Sequence, residues 1–291
     1  MAPRTRTLDE DQLDLFRAIP GNIAPRDAQD LMAYPFFSLA KSKRTKPIDF
    51  RVGTVAITVE AVAEHGMATI WDADILIWAA SQIVEARDRG AKPSRLMAAT
   101  PYEILRFVRR GVSLRDYLRL KAALDRLQST TVATSIRQLD ERRRHRFSWI
   151  NEWKETSDLN GRVLGIELIL PDWFFRGVID DALVLTIDRA YFDLTGGLER
   201  WLYRIIRKHG GRQDGGWSFD FAHLHHKSGS LSPLKHFAHD LRQIARANRL
   251  PGYELTTRQY PGMEMLFFSR RATGAGTPGA ELPNSLPVEN S

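Results

Sequence analysis

Two stretches set 120 positions apart place cations on one side of a helix and apolar residues on the other. Residues 114–127 read LRDYLRLKAALDRL and residues 234–247 read LKHFAHDLRQIARA. At 3.6 residues per turn, positions i, i+4, i+7 and i+11 share a face. That spacing puts Arg115, Arg119 and Arg126 on one stripe of the first helix and Leu114, Tyr117, Leu118 and Leu124 on another. In the second, Lys235, His239, Arg242 and Arg246 form the polar stripe, and Leu234, Phe237, Ala238, Leu241 and Ile244 the apolar one. A helix that buries one side and offers cations on the other is suited to reading DNA from a groove.

Charge is concentrated around these helices. Residues 113–146 hold nine Lys/Arg against four Asp/Glu, and residues 201–271 hold twelve against five. The two segments therefore carry +12 within a chain of net charge +7, so the remainder sums to −5. Phosphate neutralisation with counterion release predicts such concentration, whereas a merely basic soluble protein does not.

Other chemistry is weaker. His223-Leu224-His225 matches the His-hydrophobic-His pattern with which rolling-circle initiators hold a metal beside a nicking tyrosine, with Tyr253 and Tyr260 as candidates. That pattern needs a strand, where alternate side chains point the same way. FDFAHLHHKSG reads instead as a helix before a turn, on which the two histidines diverge by about 200°. Six of the eight histidines lie between His209 and His239, but with no cysteine and no well-spaced carboxylate they complete no tetrahedral zinc set. GAGTPG lacks the lysine of a phosphate-binding loop, so the sequence offers no ATP-hydrolysing motif of that type. No Ser/His/Asp arrangement stands out. The residues point to binding without catalysis, metal or cofactor.

The elements that must position these groups follow from punctuation. A chain of 291 residues, 43% hydrophobic and 26% charged, has room for two domains. The absence of cysteine excludes disulfides and fits a reducing cytoplasm. The N-terminus lacks a signal-peptide core, and no apolar run approaches the roughly 20 residues that span a bilayer, so a soluble protein with no membrane partner is expected. Residues 1–30 read as a flexible segment. Alternation across 48–62 predicts a strand, and residues 72–87 a helix.

Thr100-Pro101-Tyr102-Glu103 joins a capping box to proline at the first helical position, and Ser113 caps the next helix after Gly111-Val112. Strands over 130–137 and 147–154 then flank QLDERRRHR, placing Arg142, Arg143, Arg144 and Arg146 at a hairpin tip. A hairpin after a helix-turn-helix makes a winged helix, and its tip can reach backbone or minor groove. The plan repeats: a helix over 197–209, a short strand over 217–219, a helix over 220–227, the turn Ser228-Gly229-Ser230, and Ser232-Pro233 as cap and first position of the next helix. Strands over 253–259 and 263–269 around Tyr260-Pro261-Gly262 form a second wing. Lys227, Ser232 and His236 near the turn, with Arg258 and Arg270 on the wing, complete the candidate DNA-binding set. The expected fold is α+β: two tandem winged-helix domains at 31–180 and 181–271, then a disordered tail at 272–291.

The blocks GMATIWDADILIWAASQI (66–83), KSGSLSPLKHFAHDLRQI (227–244) and LPGYELTTRQYPGMEMLFFSRR (250–271) resemble the replication initiator protein A family of bacterial plasmids. The likeness extends over about 31–271 and is most specific in 227–244. It implies tandem winged helices on double-stranded origin DNA, origin opening, recruitment of the host initiator and replicative helicase, and autorepression by a homodimer. A winged-helix transcription regulator without a replication role is the main rival, and a scaffold for acidic proteins a more distant one.

Overall fold

The computed structural model describes residues 14–138, 144–160, 163–210 and 216–271. The chain opens with β1 (Phe16–Arg17), β2 (Arg26–Ala28) and α1 (Gln29–Ala33). Then come β3 (Ile48–Val52), β4 (Val55–Glu60), α2 (Ala73–Asp88), β5 (Leu96–Ala99), α3 (Pro101–Phe107) and α4 (Leu114–Ser129). The middle contains β6 (Thr131–Thr134), β7 (His145–Ser148), β8 (Glu152–Ser157), β9 (Val163–Ile169), α5 (Asp172–Ile179) and β10 (Val184–Thr186). Last are α6 (Gly197–His209), β11 (Trp217–Asp220), α7 (Phe221–Ser228), α8 (Leu234–Ala247), β12 (Tyr253–Tyr260) and β13 (Met263–Arg270).

An α+β plan recurs. Helix, strand, helix, helix and hairpin occur as α2, β5, α3, α4 with β8–β9, and again as α6, β11, α7, α8 with β12–β13. Both hairpins join their sheets in the same sense, in the orders β5-β9-β8 and β11-β13-β12. Local chemistry sets the helix starts: Thr100 and Ser113 each form a reciprocal capping box, with Glu103 and Asp116, and Pro101 opens α3.

Several sequence expectations are corrected. β6 and β7 do pair, Thr131 opposite Ser148, but β6 also pairs with β4, so this hairpin completes a separate sheet, β3-β4-β6-β7. The hairpin that returns to β5 is β8–β9. The stretch 147–154 is two strands because Trp149 and Ile150 are both buried, which breaks the alternation a single strand needs. Trp149 stacks on Phe37 at 4.9 Å and meets Phe36 edge-on at 5.4 Å. Residues 48–62 hold a hairpin, closed by the two-residue turn Gly53-Thr54 with Gly53 at φ 54°. Alternation passes through so short a turn without a visible break.

The expected flexible segment is structured over its described part, residues 14–30. β1 pairs with β5, β2 with β10, and Asp27 is buried. Residues 1–13 and the tail from 272 lie outside the described residues.

Buried apolar residues form one continuous cluster from Phe16 to Phe268. Buried ion pairs reinforce the junction at α6. Arg200 donates to both oxygens of Asp74 on α2 at 2.7 and 2.9 Å, and Arg110, after α3, donates to the same carboxylate at 2.9 Å. One turn on, Arg204 forms a bidentate pair with Asp27 at 2.7 and 3.0 Å. Burial raises the Asp27 pKa above its ordinary value, against the pull of the Arg204 charge and its hydrogen bonds. Directional pairs of this kind fix the orientation of α6 against α2 and β2, and with it the frame that supports α4 and α8.

Candidate nucleic-acid interface

Helix α8 presents a continuous polar face. Phe237, Ala238, Leu241, Ile244 and Ala245 are buried, while Lys235, His236, His239, Asp240, Gln243 and Arg246 are exposed, and Leu234, expected inward, is 43% exposed at the first turn. Its entry is held by a serine turn in which Ser230 N donates to Ser228 Oγ and Ser232 N to Ser230 Oγ, each at 3.1 Å. Gly229 sits in this turn at φ 60°, and a Cβ there would meet Pro35 at 2.9 Å, so only glycine fits. Contrary to the expected cap, Pro233 occupies the N-cap position and the Ser232 hydroxyl does not cap. Extended backbone at Pro233 delays the first turn by one residue, and the Ser232 carbonyl instead meets His225 Nε2 at 2.7 Å.

Arg242 is turned toward the neighbouring hairpin. It donates to Glu264 Oε1 and Oε2 on β13 at 2.8 and 2.6 Å. Hydrogen bonding to Glu264 first, then its charge, raises the Arg242 pKa. Glu264→Gln removes the charge that neutralises this guanidinium and is expected to steepen the salt dependence of duplex binding by up to about one unit of log K against log[salt]. Anisotropy titrations across a salt series check this, and an unchanged slope makes Arg242 a structural tie.

Helix α4 differs. Its buried arc is Leu120, Ala123, Leu124 and Leu127, whereas Leu114 and Leu118, expected inward, are 77% and 56% exposed. The sequence offers two overlapping apolar arcs, and packing selects the later one; Trp149 N donating to Leu127 O marks that contact. The outermost side of α4 therefore carries Leu114, Leu118 and Ala122, with Arg115 and Arg119 exposed beside them. Arg119 lies 3.7 Å from Asp116. Arg126 is committed inward by a bidentate pair with buried Asp72 at 2.8 and 2.7 Å.

The remaining candidates scatter. Arg142 and Arg143 lie outside the described residues, Arg144 is exposed, and Arg146 pairs with Glu60 on β4 at 3.0 Å. Arg258 is exposed on β12 over the Phe267 ring at 4.8 Å. Arg270 pairs in register with Tyr253, at the end of the hairpin away from its turn. Lys227 lies over Tyr34 at 5.9 Å. His223 and His225 are on α7 and do not converge: His223 stacks on Phe219, while His225 faces Ser232. Among the described residues no three His, Asp or Glu side chains gather as a metal-binding group, and no helix is long and apolar enough to cross a membrane.

Sequence reasoning missed Gln243, which sits between His239 and Arg246 on the outward face; its i+4 and i+7 spacing from His239 and His236 was the available signal. It also missed the basic loop at 40–46, which the chain fold places between α4 and the α7–α8 turn.

The model of the family described as Replication initiator protein A matches residues 26–255. The chain belongs to that family. A "Putative replication protein" of Wigglesworthia glossinidia brevipalpis is 33% identical to this family member over 244 residues, 82% of this chain and 86% of the relative. Among solved structures, domains 2 and 3 of RctB share the fold in two crystal structures. One has a TM-score of 0.61 at 15% identity, covering 83% of this chain and 98% of that one; the other has a TM-score of 0.56 at 14% identity, covering 84% and 97%.

Proposed function

We propose that this member of the replication initiator family binds origin duplex DNA sequence-specifically and without catalysis, through two winged-helix modules of unequal role. Helix α8 reads base edges, and α4 with its surroundings grips the backbone. The observation that carries this reading is the exposed row Lys235, His236, His239, Gln243 and Arg246 opposite a fully buried face. Supporting it are the repeated element order and the common sheet order of the two halves. Origin opening, recruitment of the host initiator and replicative helicase, autorepression, dimerisation and a cytoplasmic plasmid setting belong to the same reading.

The test has two arms. Nuclease footprinting on DNA flanking the gene is expected to show discrete, salt-sensitive protection, and a plasmid carrying only the gene and that DNA is expected to replicate. Protection without replication favours the transcription-regulator alternative. Absence of protection in low salt overturns duplex recognition altogether.

A further inference from the structure

The loop between Ser38 and Lys46 carries four cations in the run Lys41-Ser42-Lys43-Arg44-Thr45-Lys46. It is rigidly held. Ser38 N donates to Ala68 O, Ile70 N to Ser38 O, and Met67 N to Arg44 O, at 2.8–2.9 Å. Buried Arg44 donates to Gly229 O at 2.7 Å, to Lys46 O at 2.8 Å and to Pro47 O at 3.2 Å, tying the loop to the α7–α8 turn. Gly66, at φ 77°, lies so close under the Lys43 stem that a Cβ would meet Lys43 Cγ at 2.6 Å.

On one side of this loop, a cleft of about 620 Å³ separates it from α4 and the start of α2. On the other, a second of about 390 Å³ separates it from the α7–α8 turn and the first turns of α8, with Asp240 the carboxylate on that wall. Ser42 and Lys43 line both clefts, so the loop stands between them with α4 on one side and the start of α8 on the other. In the larger cleft Arg126 is neutralised by Asp72, and Arg110 shares Asp74 with Arg200. Arg119 is 3.7 Å from Asp116. Lys41 and Lys43 are exposed, and neither has a carboxylate within 4 Å among the described residues. Lys41 Nζ is steadied 5.4 Å from the centroid of the Trp71 ring.

We propose that this loop is a third DNA-contacting element, a phosphate seat in which Lys41 and Lys43, with Arg119 opposite, hold the duplex backbone that passes between α4 and α8. This deepens the duplex-binding reading and rests on it. The backbone is favoured over a free nucleotide because Lys43 lines both clefts, so its charge is offered on the α8 side of the loop as well as on the α4 side. Preorganisation by Arg44 and Trp71 spares the loop the entropy of ordering on binding.

The test compares the full-length protein with Lys41→Ala/Lys43→Ala and Lys41→Arg/Lys43→Arg double variants, titrating a flanking-DNA duplex and a scrambled duplex by anisotropy from low to high salt. The alanine pair is expected to lose roughly 10- to 30-fold affinity near 0.15 M salt, equally for both duplexes, with a slope shallower by about two; the arginine pair is expected to retain it. Unchanged affinity and slope in the alanine pair overturn the seat. So does lysine-dependent, micromolar binding of ATP together with an unchanged duplex slope, which makes the cleft a nucleotide site. If the wild-type protein binds neither duplex, the duplex reading beneath the proposal fails instead.

Discussion

Asp74→Asn is expected to lower unfolding free energy by about 3–5 kcal/mol, the cost of removing one member of a buried ion pair. Asp74 is fully buried, and its single carboxylate serves Arg200, itself only 4% exposed, and Arg110. Asparagine keeps one acceptor but no charge, so Arg200 is left as an uncompensated cation inside the protein. Its donations to Leu194 O at 2.7 Å and Phe192 O at 2.9 Å satisfy hydrogen bonds without balancing that charge. The double variant Asp74→Leu/Arg200→Met is expected to recover most of the loss, because two apolar groups of similar bulk leave no orphaned charge on α6. Urea unfolding of the wild-type and both variants reads the effect. A loss below about 1 kcal/mol in Asp74→Asn would place this pair among surface-like bridges and sink the argument.

The same pair shows where the sequence stops being legible. On α6, periodicity marks Leu198, Trp201, Leu202 and Ile205 as inward; the last three are buried and Leu198 is half-buried, while Arg200 and Arg204 look like solvated charges yet are buried too. A buried arginine is recognisable only with its partner, and Asp74 and Asp27 lie 126 and 177 residues away. The starts of α3 and α4, by contrast, are written in the few residues that form them. Thr100-Pro101-Tyr102-Glu103 and Ser113–Asp116 specify capping boxes whatever the rest of the chain does. The second hairpin is equally local, with Tyr260-Pro261-Gly262 between alternating strands.

The hairpin after α4 was visible as a hairpin, but its sheet was not, because strand pattern says nothing about which edge a strand meets. β6 found β4 across more than 70 residues, and β8–β9 took the place beside β5. Of the site, α8 was legible because its buried and exposed arcs are cleanly opposed. In α4 two apolar arcs compete, and tertiary packing decides between them. Arg242 and Arg126 kept their predicted helical positions and acquired carboxylate partners that spacing could not reveal.

That contrast between the helices sets the second large effect. Arg246→Ala is expected to cost about 1–3 kcal/mol in specific binding, with sequence preference relaxed at one position, if its guanidinium reads a base edge. Arg246 is exposed on the central face of α8, beside Gln243, whose amide can make the two hydrogen bonds that identify adenine. Leu118→Ala on α4 is expected to leave the preference intact, since an exposed leucine offers no donor or acceptor to a base edge. Competition titrations against single-position variants of the protected site measure both. A uniform loss over all sequences makes Arg246 a phosphate contact, while a changed preference in Leu118→Ala would bring α4 into base reading and remove the asymmetry between the two modules. The difference is physical: a bidentate side chain tells bases apart by the hydrogen bonds it leaves unmade on a mismatch, whereas a leucine can contact only the thymine methyl and reads no donor or acceptor pattern.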